Sequence, residues 1–184
     1  MHRDLVERAM AGDHEAYAVL ARASIDRLFS TARLILRDDG RAEDATQEAL
    51  VAAWRDLSAL RDPDRFEAWL HRLLVRSCYR EARRERRRWA VETAIRPLEV
   101  GIPDPAPGVA DRDQLERGFC RLRTDQRVIL VLHYYLGLSL DEAADVLGVP
   151  PGTVRSRLHR ATAAMRAALE ADARAPMLPH RRLA

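Results

Sequence analysis

The sequence predicts an all-α protein: two small helical domains joined by an extended acidic linker. Three observations carry that expectation. Apolar residues recur at spacings of three and four over 1–90 and again over 114–173, the period of a helix with one buried face, and no run alternates as a half-buried strand would. Proline and glycine crowd into the stretch between them: Pro97, Gly101, Pro103, Pro105, Pro107 and Gly108. Helix-start signals stand where the periodic segments begin, among them Ser139 followed by Glu142.

Within 1–90 the pattern places helices at 3–10, 14–37, 41–58 and 64–89. The breaks are "AGD" at 11–13, "DDG" at 38–40 and "RDPD" at 61–64. Pro63 suits the entry to the fourth helix, where a backbone N–H has no helical partner anyway, and Asp62 is its candidate cap. Residues 91–113, "VETAIRPLEVGIPDPAPGVADRD", hold Glu92, Glu99, Asp104, Asp111 and Asp113 against Arg96 and Arg112, a net of −3. That composition reads as an extended tether. Helices follow at 114–121, 124–136, 140–147 and 151–172, and 174–184 reads as a disordered tail.

Composition narrows the class. Of 184 residues 47% are hydrophobic, enough for packed cores, and the net charge is only +3. Positive charge therefore matters only where it is clustered. There is no lysine and no asparagine; all 31 basic residues are arginine. Lysine and asparagine use A-rich codons, so a G+C-rich genome explains the bias, and arginine abundance alone does not point to nucleic acid. Cys78 and Cys120 lack a CxxC-type partner motif and read as reduced, buried, small apolar residues. The charged start "MHRDLVERAMAGDHEAY" lacks the apolar stretch of a signal peptide, and no run approaches the roughly 18 apolar residues of a membrane span. A cytoplasmic protein without membrane insertion is expected. No P-loop, GxSxG, HExxH or Cys/His cluster occurs, so no catalytic residue, cofactor or metal ligand is assigned and no enzyme is expected. His71 has Glu67 one helical turn earlier, which reads as a surface hydrogen bond.

The stretch "SLDEAADVLGVPPGTVRSRLHRATAAM" parses residue by residue. Ser139 and Glu142 form a capping box, Gly148 suits the left-handed helix end, Val149 plugs the turn, and Pro151 opens the next helix. Val154, Leu158, Ala161 and Met165 then share one face, to pack on Ala143, Ala144 and Leu147. The opposite face shows Gly152, Thr153, Ser156, His159 and Arg160, with Arg155 and Arg157 at its flanks and no acid between them. Two readings stand on these residues: a helix-turn-helix presenting arginines to phosphates and base edges, or a helical hairpin with a solvated basic face.

In the fourth helix, Phe66, Trp69, Leu70, Leu73, Leu74 and Ser77 make the inward face, and Arg72, Arg76, Tyr79, Arg83 and Arg86 another stripe. Seven arginines against two glutamates from Arg76 to Arg88 suit a nucleic-acid backbone, with Tyr79 as a stacking surface; a solvated helix end is the plainer reading. In the third helix, Leu50, Trp54 and Leu57 mark the core face. Asp44, Glu48, Val51 and Arg55, with Gln47 at the edge, make a mixed charged stripe around an apolar centre, which fits a protein contact or plain exposure.

Taken together, "AEDATQEALVAAW" and "FEAWLHRLLVRSCYREARRERRR" resemble region two of bacterial sigma factors. "LRTDQRVILVLHYYLGLSLDEAADVLGVPPGTVRSRLHRATAAMRAAL" resembles their region four, and the short linker is similar to that of the extracytoplasmic-function group. The resemblance covers roughly 14–172. It implies a factor that binds core RNA polymerase and directs it to promoters. It gives 1–90 the role of region two, a helical bundle, and 114–173 that of region four. Asp44, Gln47, Glu48, Val51 and Arg55 would dock on the clamp of the largest polymerase subunit, and region four on the flap of the second largest. Arg61, Asp62 and Asp64 would take an extruded base of the minus-ten element, whose unstacking costs a few kcal/mol. Arg76, Tyr79, Arg80 and Arg83 would contact the minus-ten DNA as it opens. Thr153, Arg155, Ser156, Arg157 and Arg160 would read the minus-thirty-five element. The acidic linker would lie in the RNA exit path, and an anti-sigma factor would hold the protein inactive.

Two departures from the family pattern stand out. Ala45 replaces a larger aliphatic residue in "DATQE", which predicts looser packing there, and Tyr79 alone supplies an aromatic on the DNA-facing stripe. The competing assignments are a stand-alone helix-turn-helix transcriptional regulator and a polymerase-binding regulator that does not initiate. The first would normally bring a dimer interface, and no dimerisation helix is evident.

Overall fold

The computed structural model describes residues 2–95 and 110–174, with the side chains of 3–88 and 114–171. Eight α-helices occupy the described residues: α1 (His2–Met10), α2 (His14–Leu36), α3 (Asp39–Asp56), α4 (Phe66–Ile95), α5 (Ala110–Arg121), α6 (Thr124–Leu130), α7 (Leu140–Leu147) and α8 (Pro151–Arg174). Short 3₁₀ turns at Leu57–Ala59 and Pro63–Arg65 join α3 to α4, and a π turn at Val131–Tyr135 extends α6. Helix runs into the expected linker from both sides, to Ile95 and from Ala110; its centre, 96–109, and the expected tail beyond Arg174 lie outside the described residues.

Side-chain caps set three of the boundaries in the first half. The Asp13 carboxylate accepts from the N–H groups of Glu15 and Ala16, both at 3.0 Å, and so starts α2. Asp38 accepts from the Arg41 N–H at 2.8 Å and starts α3 two residues earlier than the periodicity predicts. Asp62 caps the Pro63 turn by accepting from the Asp64 N–H at 3.0 Å, as expected of it.

α3 lies between α2 and α4. The sequence reading put its core face on Leu50, Trp54 and Leu57, but only Leu57 is buried. The face that packs is an alanine row: Ala42, Ala45, Ala49 and Ala53 are all 0% exposed. Small side chains at spacings of three and four let neighbouring helices come close, so Ala45 is part of a tight contact rather than a loosened one. Trp54 stacks at the edge, its ring 4.5 Å from His14 and 5.0 Å from Tyr17. Tyr17 donates its hydroxyl to the Leu50 carbonyl at 2.5 Å.

α4 buries Phe66, Leu70, Leu73, Leu74, Ser77 and Cys78. Its buried surface is wider than the predicted stripe and takes in His71, Val75 and Glu81. Burial pushes the Cys78 thiol up to about 12. Cys120, expected to be buried, is exposed, and both cysteines are free thiols.

In the last four helices α8 packs against α5, α6 and α7. Gly118 makes the α5 contact possible, because a Cβ there would lie 3.0 Å from the Met165 Cε. The two halves of the chain lie against each other: α4 meets α7, α2 meets α6 and the π turn, and buried residues from Val6 to Met165 form one continuous cluster.

His71 departs from the sequence reading. It is 5% exposed, and its Nδ1–H donates to the Glu67 carbonyl at 2.8 Å rather than to the carboxylate. Its Nε2 is buried without a partner. Burial, the largest influence, holds the imidazole below its ordinary value, with Glu67 opposing and Arg27 reinforcing. As pH falls through about 6.5, the unfolded chain therefore takes up this proton before the folded one does, and the folded state loses stability. Urea unfolding of the wild type and His71→Gln across pH 7.5 to about 5.5 is expected to show the wild type losing stability relative to the variant below pH about 6.5. Phe66→Ala is expected to cost about 3–5 kcal/mol in the same assay.

Candidate nucleic-acid and protein interfaces

Three surfaces are built by different local rules. The first is the outer face of α3. Asp44, Gln47, Val51 and Arg55 are exposed, Val51 at 59%. Burial of the alanine row on one side turns this stripe outward. Arg55 is braced by Asp56, with Nε to Oδ1 at 2.9 Å. Glu48 differs from its predicted companions. Its Oε1 lies 3.1 Å from Arg80 Nε on α4, so it is turned toward the neighbouring helix and half-buried.

The second surface is the Pro63 turn with the outer face of α4. Arg61, Asp62 and Asp64 are exposed at the turn. The Asp64 carboxylate accepts from Arg3 Nη1 at 2.5 Å, and Arg65 reaches Asp145 of α7 at 3.2 Å. Arg3 and Arg65 carry no periodic signal and were missed; only the turn chemistry around Pro63 marks Arg65. Arg76, Arg80 and Arg83 are exposed along α4, with Tyr79 between them partly buried. Burial raises the Tyr79 hydroxyl above its ordinary value, against the pull of Arg157. Arg80 also donates to Ser77 Oγ at 3.0 Å. Glu48 and Arg80, predicted for different surfaces, thus form one ion pair.

The third surface is α7, its turn and α8. Ser139 Oγ accepts from the Glu142 N–H at 3.2 Å, and the Ser139 N–H donates to Glu142 Oε2 at 2.8 Å, so the capping box is closed both ways. Gly148 ends α7 at φ 65, the left-handed region open to glycine. Val154, Ala161 and Met165 are buried beneath α8 and Leu158 partly so. Arg155, Ser156 and Arg160 are exposed, and Thr153 and Arg157 half-buried. Ser156 Oγ donates to the Thr153 carbonyl at 2.9 Å, and Arg160 Nε to the Ser156 carbonyl at 3.2 Å.

The second and third surfaces face each other. A cleft of about 1250 Å³ runs between them, with Arg76, Tyr79, Arg80 and Arg83 on one wall and Arg157 and Arg160 on the other. Arg41, Arg123 and Arg127, which sequence reasoning missed, join the lining because α3 and the start of α6 converge there. Nine arginines meet two carboxylates, Glu85 and Asp125, in this lining. The geometry suits a polyanion and offers no general base or nucleophile poised for chemistry. Among the described residues no group of three His, Cys, Asp or Glu is placed to hold a metal, and no helix is long and apolar enough to cross a membrane.

Comparison with known proteins gives a consistent result. Residues 20–88 match the Sigma-70 region 2 family, and residues 112–165 the Sigma-70, region 4 family. The ECF RNA polymerase sigma factor SigM of Mycobacterium tuberculosis is 35% identical over 162 residues, 87% of this chain and 80% of that protein. SigL of the same organism is 32% identical over 168 residues, 88% of this chain and 95% of that protein. Among solved structures, CnrH in complex with the cytosolic domain of CnrY superposes with a TM-score of 0.66 at 31% identity, covering 93% of this chain and 98% of that one. The sigma factor RpoE in complex with the anti-sigma factor NepR from Bartonella quintana gives 0.65 at 25% identity, covering 87% and 98%.

Removing the closed capping box tests how firmly the third surface is held. Ser139→Ala is expected to lower stability by about 1 kcal/mol in chemical unfolding, with hydrogen exchange fastest to rise in the first turn of α7.

Proposed function

The chain belongs to the extracytoplasmic-function group of RNA polymerase sigma factors, and from that premise we propose which surface does which part of the work. The exposed stripe of Asp44, Gln47, Val51 and Arg55 docks on the clamp of the largest subunit of core RNA polymerase, with Glu48 at its inner edge. Region four meets the flap of the second-largest subunit. The Pro63 turn, with Arg61, Asp62 and Asp64, takes the extruded minus-ten base, and Arg76, Tyr79, Arg80 and Arg83 hold the opening strand. Thr153, Arg155, Ser156, Arg157 and Arg160 read the minus-thirty-five element in the major groove. The chain works as a binding factor rather than an enzyme, in the cytoplasm where polymerase is found. An anti-sigma factor restrains it, a reading supported by the solved relative that carries one.

The observation that carries this reading is the division of labour between surfaces. A mixed stripe with an exposed apolar centre suits a protein, whereas arginine faces on α4 and α8 suit phosphates and base edges. Neither competing assignment needs both kinds.

Run-off transcription with core polymerase on a pool of genomic promoter fragments tests the reading. Specific transcripts are expected only when the protein is added. Val51→Asp is expected to weaken core binding by at least about tenfold, by placing a charge in an apolar contact, and to leave the fold intact. Arg155→Ala is expected to cost about 1–3 kcal/mol of minus-thirty-five discrimination without reducing core binding. Binding to core without transcripts would favour a regulator that does not initiate, and no binding to core would leave a stand-alone DNA-binding protein.

A further inference from the structure

The ion pair between Glu48 of α3 and Arg80 of α4 has no place in the roles assigned above. Glu48 Oε1 lies 3.1 Å from Arg80 Nε. Arg80 is also fixed from its own helix, donating through Nη2 to the Ser77 Oγ at 3.0 Å. Ser77 is fully buried, so the guanidinium is held at a rigid point in one orientation. The other oxygen of Glu48, Oε2, is buried and meets no hydrogen-bond donor. An acceptor withdrawn from water in this way costs free energy, and the pairing of Oε1 with Arg80 offsets that cost.

Helical spacing shows what the pairing avoids. Asp44 lies one turn before Glu48, Val51 one turn after it and Arg55 two turns after it. Asp44, Val51 and Arg55 are exposed. Turned outward, the Glu48 carboxylate would stand beside that of Asp44, an unfavourable like-charge pair at i,i+4, and beside the apolar side chain of Val51. Drawn against α4, it leaves Val51 open at 59%, with Asp44 on one side. On the other side Arg55 is neutralised by Asp56, Nε to Oδ1 at 2.9 Å. The packing of α3 on α4 does not depend on this pair, because the alanine row is buried between the helices and Arg41 Nη1 stands 3.9 Å from Glu85 Oε2 along the same edge.

We propose that Arg80 is a positioning residue for the α3 docking stripe: it draws the Glu48 carboxylate back against α4 and keeps a second negative charge away from Val51. The proposal rests on the reading of that stripe as the polymerase contact. The partner surface it fits is apolar at its centre, with a donor or a cation opposite Asp44. Arg80 thus serves docking from the face of α4 assigned to DNA. The Arg80 side chain is 46% exposed and that of Glu48 34%, so water screens the pair and its effect is modest.

The test is the equilibrium affinity of the full chain for immobilised core RNA polymerase. No DNA is present, so a promoter contact made by Arg80 does not enter. Arg80→Gln is expected to weaken binding about three- to fivefold, the effect an exposed ion pair supports, and Arg80→Lys, which keeps a cation opposite Glu48, to stay within about twofold of the wild type. In a Glu48→Gln background, Arg80→Gln is expected to change affinity by less than about twofold, because the charge that Arg80 restrains is gone. A loss that persists in that background would assign Arg80 to helix packing and overturn the proposal. Unchanged or tighter binding by Arg80→Gln would overturn it too, the second by showing that Glu48 meets polymerase from an outward position. Val51→Asp keeps the two readings apart. If it weakens binding and Arg80→Gln does not, the docking stripe stands and the positioning role falls; if neither weakens binding, both fall.

Discussion

α4 must bury one face and keep another densely charged, and the rest of the molecule depends on its doing both. Seven arginines between Arg76 and Arg88 repel along the helix, each like-charged neighbour costing a few tenths of a kcal/mol. Burial of Phe66, Leu70, Leu73 and Leu74 opposes this, at about 1.5–3 kcal/mol for each large apolar side chain. Packing wins by a wide margin. The repulsion is further relieved by carboxylates set at helical spacing: Arg84 pairs with Glu81 of its own helix, and Glu85 stands 3.9 Å from Arg41 of α3. Because the inner row of α4 is held so firmly, its outer row can stay densely charged and exposed.

An all-arginine chain also has to put much of its charge to structural use. Arg127 donates to the Phe119 and Leu122 carbonyls and so closes the end of α5, where the helix dipole favours a cation. Burial, reinforced by Arg37 and Arg41 nearby, lowers its affinity for a proton from the ordinary arginine value, yet a guanidinium keeps its charge where an ammonium would give it up. Arg121 donates to the Ala168 carbonyl and ties α5 to α8. Arg80 stands between two environments, since it is exposed on the arginine-rich face of α4 while holding Glu48. The number of arginines therefore overstates the charge left free on the surface, and only their placement separates bracing residues from exposed ones.

Features that depend on neighbours three or four residues away were legible in the sequence. The Ser139–Glu142 box, the Gly148 helix end, the Asp62 cap and the apolar face of Val154, Ala161 and Met165 are all local, and the structure has each of them. The α3 core face was misread because hydrophobicity was taken as the guide to burial. Where two helices crowd a third, small residues are buried and large ones pushed to the edge, which is why Ala42 to Ala53 lie inside and Leu50 and Trp54 only partly so. His71 was misread for a related reason: the helical pattern gives its turn but not the arrival of α2 above it. Arg3, Arg41, Arg123 and Arg127 went unnoticed because their roles come from elements far away in sequence.

The relation between the two halves lies furthest from what local pattern can specify, and the magnitudes explain why. Two unit charges about 10 Å apart across a water-filled cleft repel by only about 0.4 kcal/mol, and salt at physiological strength screens even that. Rim pairs such as Arg65–Asp145, well over a third exposed on both sides, contribute at most about 1 kcal/mol each. Both influences are small, so the apolar seam, part of one continuous buried cluster, decides how the halves meet. Individual helices are specified by caps, period and packing close in sequence, while the way the halves meet rests on apolar residues far apart in sequence.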